Sequence, residues 1–132
     1  MTIKPAYLVL LLLFSSCSYN VSSIVTNASA DTLTVNIIYT QPVSRDPSYQ
    51  KITPSASLLS VDTFGNVASF RLAPRDTLVI EQVRGGKHTP PQFKDIKQLE
   101  IKAPRYRYNY PHNTLHKLFF NTGSGVWEWR VR

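Results

Sequence analysis

Alternation of apolar and polar side chains, with no sustained helical periodicity to compete with it, most constrains what this chain can fold into. From Thr32 the run Thr-Leu-Thr-Val-Asn-Ile-Ile-Tyr puts Leu33, Val35, Ile37 and Tyr39 on one face, with Thr34 and Asn36 on the other. That period of two is the signature of a half-buried strand. The end of the chain repeats it: Trp127, Trp129 and Val131 share a face opposite Glu128, Arg130 and Arg132. Further strands are expected at Val21 to Thr26, Leu58 to Val61, Val67 to Leu72, Thr77 to Val83, Ile96 to Ala103, the Arg-Tyr stretch 105–110 and Leu115 to Thr122.

The punctuation between these runs is that of turns. Asn27-Ala28-Ser29-Ala30-Asp31 joins the first two strands as a hairpin, since Asn and Asp side chains bond nearby backbone groups. Ala73-Pro74-Arg75-Asp76 joins a second pair, Val67 to Leu72 with Thr77 to Val83. Gly65-Asn66, Gly85-Gly86, Pro90-Pro91 and Gly123-Ser124-Gly125 mark other turns. Residues 40–57 hold Pro42, Pro47 and Pro54 and read as a long surface loop, because proline cannot donate to a ladder. Roughly seven to nine short strands in one domain fit an all-β fold, a single antiparallel β-sandwich, with a small β-barrel as the alternative. Asn-Ala-Ser-Ala-Asp-Thr-Leu-Thr-Val and Leu-Ala-Pro-Arg-Asp-Thr-Leu-Val-Ile resemble hairpin punctuation of immunoglobulin-like domains, which implies an immunoglobulin-like sandwich. With one Cys in the chain, an antibody-type disulfide and a Cys-built zinc site are both excluded.

That Cys has a telling position. Lys4 is followed by an unbroken apolar run from Tyr7 to Phe14, then Ser15, Ser16 and Cys17. The run is too short to cross a hydrocarbon core, which takes roughly 20 helical residues, and has the length of a signal-peptide core. Leu13-Phe14-Ser15-Ser16-Cys17 resembles the lipobox of bacterial lipoproteins, with Phe14 where that family usually has Leu. The resemblance covers about 20 residues and concerns targeting. It implies that residues 1–16 are a signal peptide, that Cys17 becomes the first residue of the mature chain and carries the lipid, palmitate included, that 17–23 form a tether and that 24–132 form the sandwich. Ser18 stands where some of these proteins have an inner-membrane retention Asp, which implies an outer-membrane anchor on the periplasmic side. The other reading is an ordinary secretory signal with Cys17 unmodified.

Lys and Arg number 15 against 8 carboxylates, a net charge of +7, and the cations concentrate in Arg84 to Arg107. That stretch ends in Arg105-Tyr106-Arg107-Tyr108-Asn109-Tyr110. In an extended chain Tyr106, Tyr108 and Tyr110 line one face and the two arginines the other. Rings beside cations suit a single-stranded nucleic acid, the faces of sugar rings, or anionic phosphates. An envelope address disfavours nucleic acid as a partner. It leaves cell-wall glycan or anionic lipid, against the plain reading that the tyrosines cover an edge of the core.

No other constellation carries chemistry. His112 and His116 are spaced for a shared metal on a helix, but the nearest carboxylates in sequence are Glu100 and Glu128, so no metal site is expected. There is no Gly-x-Ser-x-Gly elbow, no phosphate-cradling Gly-rich loop and no close carboxylate pair. Asp31-Thr32-Leu33 and Asp76-Thr77-Leu78 resemble a bacterial O-glycosylation acceptor, and equally read as strand starts. The expectation is a non-catalytic structural or protein-binding module of the cell envelope, without cofactor and held to the membrane by its lipid. Glycan or anionic-lipid binding through 84–110 is the alternative.

Overall fold

The computed structural model describes residues 19–42, 57–62 and 65–132. Cys17, the apolar run before it and most of the 40–57 loop, with Pro47 and Pro54, lie outside them. Among the described residues the chain forms β1 (Tyr19–Asn27), β2 (Leu33–Tyr39), β3 (Ser57–Val61), β4 (Val67–Leu72), β5 (Thr77–Gly85), β6 (Ile96–Lys102), β7 (Arg107–Pro111), one turn of helix α1 (His112–Leu115), β8 (Phe120–Asn121) and β9 (Val126–Val131).

The strands build two sheets, of order β5-β1-β9-β8 and β3-β4-β2-β6-β7. All neighbours are antiparallel except β1 and β9, which run parallel from Ser22↔Val126 to Asn27↔Val131. The sheets pack face to face as an all-β sandwich, and neither closes into a barrel. In an immunoglobulin constant domain the first two strands share a sheet; here β1 and β2 lie in opposite sheets.

The apolar face of β2 is realised, with Leu33, Val35, Ile37 and Tyr39 all buried, while Asn36 on the other face is buried as well. They meet Phe70 and Leu72 of β4 and Leu99 and Ile101 of β6 from their own sheet. Val25, Leu78, Ile80, Trp129 and Val131 come from the other. Each aliphatic side chain buried in this way contributes about 1.5–3 kcal/mol.

Both expected hairpins are corrected. β1 pairs with β5 and β9, not with β2, and β4 pairs with β2 and β3, not with β5. The two connections cross between sheets at one end of the sandwich, where they hold each other. Asn27 N–H donates to Asp76 O and Arg75 N–H to Asn27 O. The buried Asn27 side chain donates to Asp31 O at 2.7 Å and to Leu72 O at 3.0 Å. Turn residues close a reversal equally well whether the flanking strands share a sheet or face each other across a core.

The expected strand Leu115 to Thr122 is also corrected, since only Phe120–Asn121 is extended. Pro111 ends β7, Thr114 Oγ1 donates to Pro111 O, and the backbone winds on through Lys117 N–H to Thr114 O and Leu118 N–H to Leu115 O. Leu115 and Phe119 are buried four residues apart, which is a helical spacing and not an alternating one. At the other end of the chain, residues 19–23 are not a free tether: they form the first half of β1.

Candidate binding face

The tyrosines of the Arg-Tyr stretch stand where the sequence puts them, on one face. In the β6–β7 ladder Tyr110 lies opposite Leu99 and Tyr108 opposite Ile101. Directly opposed residues of an antiparallel pair share a face, so these rings point to the inner side of their sheet. β7 is the outermost strand of that sheet, and across from it the other sheet ends in a β8 of only two residues, paired to Glu128 and Trp127. The second sheet therefore covers β7 only in part. Tyr110 is half-buried edge-on against Trp129 at 4.8 Å between ring centroids, whereas Tyr108 is 54% exposed.

The rings form a continuous row. Tyr106 and Tyr108 are 5.1 Å apart and Tyr108 and Tyr110 6.2 Å. From Tyr110 the contacts run inward through Trp129 to Phe119 at 6.0 Å and on to Phe93 at 5.0 Å. Tyr108 is thus the exposed ring of a row whose other two tyrosines pack, partly buried, against the core. Burial pushes the Tyr110 phenol above the usual tyrosine range, with Tyr108 and Tyr106 adding to it.

The arginines belong to the opposite face. Asn109, Glu100 and Asn36 form one cross-strand row on the outer side of the sheet, with Arg107 opposite Lys102 beside it. Glu100, shielded by its neighbours' side chains, is ion-paired to the Arg107 guanidinium and lies 3.8 Å from Lys102 Nζ. Its Oε2 accepts from Asn36 Nδ2 at 3.2 Å. Burial alone raises a carboxyl's pKa, but the Asn36 amide, Arg107 and Lys102 outweigh it and hold Glu100 below the usual glutamate range. Arg107 is thereby committed to an intramolecular partner, while Arg105 is exposed in the bend before β7. Rings and cations are not presented together to one flat ligand. Asn36 and Glu100 are not legible as a pair in the sequence, being 64 residues apart; a carboxylate between the apolar Leu99 and Ile101 is the one local sign of them.

The remaining candidates are separated. His112 Nδ1 lies 2.8 Å from Ile96 O, and His88 Nδ1 lies 3.0 Å from Asn121 Nδ2. Among the described residues no cluster of three or more metal-ligating side chains forms. Of the two Asp-Thr-Leu motifs, Thr32 is exposed in the β1–β2 connection, while Thr77 is half-buried opposite Thr26 in the β1–β5 ladder. A cleft of about 190 Å³ separates Val79 to Val83 of β5 from Gln92 to Ile96. Glu81 staples it, accepting N–H bonds from Gln92 and Phe93. Desolvation raises the Glu81 pKa against those bonds. Comparison with protein-family models, with curated proteins and with solved structures finds no match for this chain.

Proposed function

We propose that this chain is a lipid-anchored module of a bacterial cell envelope, attached through Cys17 on the periplasmic side of the outer membrane, and that it binds a partner protein without catalysing a reaction. The address rests on the lipobox-like Leu13-Phe14-Ser15-Ser16-Cys17. The binding role rests on one observation, the exposed Tyr108 ring on β7, flanked by the partly buried rings of Tyr106 and Tyr110. Tyrosines are favoured anchors of protein interfaces because each offers a large rigid face and a polar tip at low entropic cost. A second reading, stacking of cell-wall sugar rings on the same row, is supported by the adjacency of Tyr106, just before β7, with Tyr108 and Tyr110 on it. Anionic ligands are less well suited to this strand, since Arg107 is held by Glu100 on its other face.

The test has two arms. Intact mass and membrane fractionation compare the protein made in a Gram-negative host with Cys17→Ala. Acyl mass, loss of residues 1–16 and membrane association, all absent from the variant, are expected; an unacylated wild type overturns the address. A photo-crosslinking residue at 108 is then expected to give an envelope-protein adduct that persists at high salt. If there is no adduct, and sedimentation with isolated cell wall is instead lost in Tyr108→Ala, the glycan reading replaces the protein one.

A further inference from the structure

The ladders fix which end of the sandwich is next to Cys17, and that end carries a set of exposed cations. Cys17 is two residues before Tyr19, the first residue of β1, so covalent geometry keeps their Cα atoms within about 7 Å of each other. Tyr19 lies opposite Gly85, and Asn20 opposite Arg84. Ser22 N–H donates to Gly125 O, and Trp127 Nε1 donates to Thr89 O at 2.9 Å. The β5–β6 connection and the β8–β9 turn therefore flank the point where the chain enters.

Residues 82–94 contain Arg84, Lys87 and Lys94 and no carboxylate. Residues 115–127 contain Lys117 and none either. All four cations are exposed, and Tyr19 is an exposed ring among them. The carboxylates nearby are Glu81, whose oxygens accept from Gln92 and Phe93 N–H, Asp95, which follows Lys94, and Asp62, whose Oδ1 is taken by Gly65 N–H. At the far end the connections 28–32, 73–76 and 103–106 set Asp31 and Asp76 against Arg75 and Arg105, and Arg132 follows Val131, whose carbonyl accepts from Ala28 N–H there.

We propose that the end bearing Tyr19, Arg84 and Lys87 rests directly on an anionic phospholipid surface. This deepens the lipid-anchor reading and rests on it for the placement of Cys17. An acyl chain at Cys17 leaves the first strand no slack to stand off from the bilayer. The nearest cations then lie within a Debye length of the headgroup phosphates, and Tyr19 sits at the depth where amphipathic rings settle in membrane interfaces. Each cation so placed strengthens attachment several-fold.

The experiment is amide hydrogen exchange of the full protein, as purified with its acyl chains, in vesicles of phosphatidylcholine alone or with about one-third phosphatidylglycerol. Slower exchange across 83–90 and 121–126 on the anionic vesicles is expected, reversed by 0.5 M salt, with 28–32 and 73–76 unchanged. The doubly substituted Arg84→Gln, Lys87→Gln protein, altered only at exposed positions, is expected to remain membrane-bound and to lose that contrast by roughly tenfold or more. Equal exchange on both vesicles, or a contrast the double variant keeps, overturns the proposal. If mass shows no acyl chain, the anchor reading fails separately. The same exchange contrast on the unacylated chain then decides the surface, its presence retaining the proposal and its absence removing it.

Discussion

The Asn27 side-chain amide on β1 donates to the Leu72 carbonyl on β4 at 3.0 Å, and so bonds one sheet of the sandwich to the other at the end where both crossing connections meet. The same amide donates to Asp31 O, and Asn27 Oδ1 accepts from Ser29 N–H and Ser29 Oγ. All hydrogen-bonding positions of a fully buried side chain are therefore used.

Replacing Asn27 with Ala removes the side-chain donor of the buried Leu72 carbonyl, leaves Asp31 O with Ser29 Oγ, and opens a space between the sheets. Each buried polar group left unpaired costs about 1–3 kcal/mol. Asn27→Ala is expected to lose about 3 kcal/mol, seen in urea unfolding as a lower midpoint at unchanged slope. A loss under about 1 kcal/mol would show that the connections hold without it.

Trp129 and Trp127 share a face of β9 but not a degree of burial: Trp129 is 8% exposed and packs on Tyr110 and Phe119, while Trp127 is half-buried. Trp129→Ala is expected to cost about 3–5 kcal/mol and to flatten the near-ultraviolet circular dichroism by releasing Tyr110. Trp127→Ala is expected to cost less, through lost packing and the lost bond to Thr89 O. Equal losses would contradict the packing described.

Because Glu100 titrates below the usual glutamate value of 4.5, the unfolded chain takes up its proton at a higher pH than the native protein does. Its contribution is therefore complete above the ordinary glutamate range and is lost as pH falls through the native pKa. Both its charged partners are surface groups, so Glu100→Gln is expected to cost only about 1 kcal/mol at pH 7. That difference should shrink toward zero near pH 3. A difference unchanged between the two pH values would assign the loss to packing and not to charge.

Tyr108 offers a separation of binding from stability. Its ring is exposed, so Tyr108→Ala is expected to change unfolding free energy by no more than about 0.5 kcal/mol while removing partner contact at β7. Tyr110→Ala, which also removes the contact with Trp129, is expected to lower both. Matched effects of the two substitutions on stability would mean that the row is only an edge of the core.

The sequence made individual faces legible, and left partners hidden. Leu33 to Tyr39 and Trp127 to Val131 declare which side is buried because alternation is a local property. The tyrosine row of β7 was readable for the same reason. The partners of β1, by contrast, lie at Thr77–Gly85 and Val126–Val131, and no local signal at Val21 to Thr26 distinguishes them from β2 next door. Leu115 and Phe119 were misread because a short apolar run fits both periods; Pro111 just before them was the better guide. Arg107 looked available to a ligand until the fold brought Glu100 across the ladder.

The parallel pairing of β1 with β9 bears on how the domain resists being pulled. The strand that leads to Cys17 is not at a margin of its sheet: β5 holds it along one side and β9 along the other. With the proposed lipid at Cys17, a drag from a moving bilayer or a bound neighbour would be directed along β1 and would load both ladders in shear. Their hydrogen bonds must then give way together, where a peeled margin would surrender them one at a time. The proposed attachment would thus pull on a strand held along both sides.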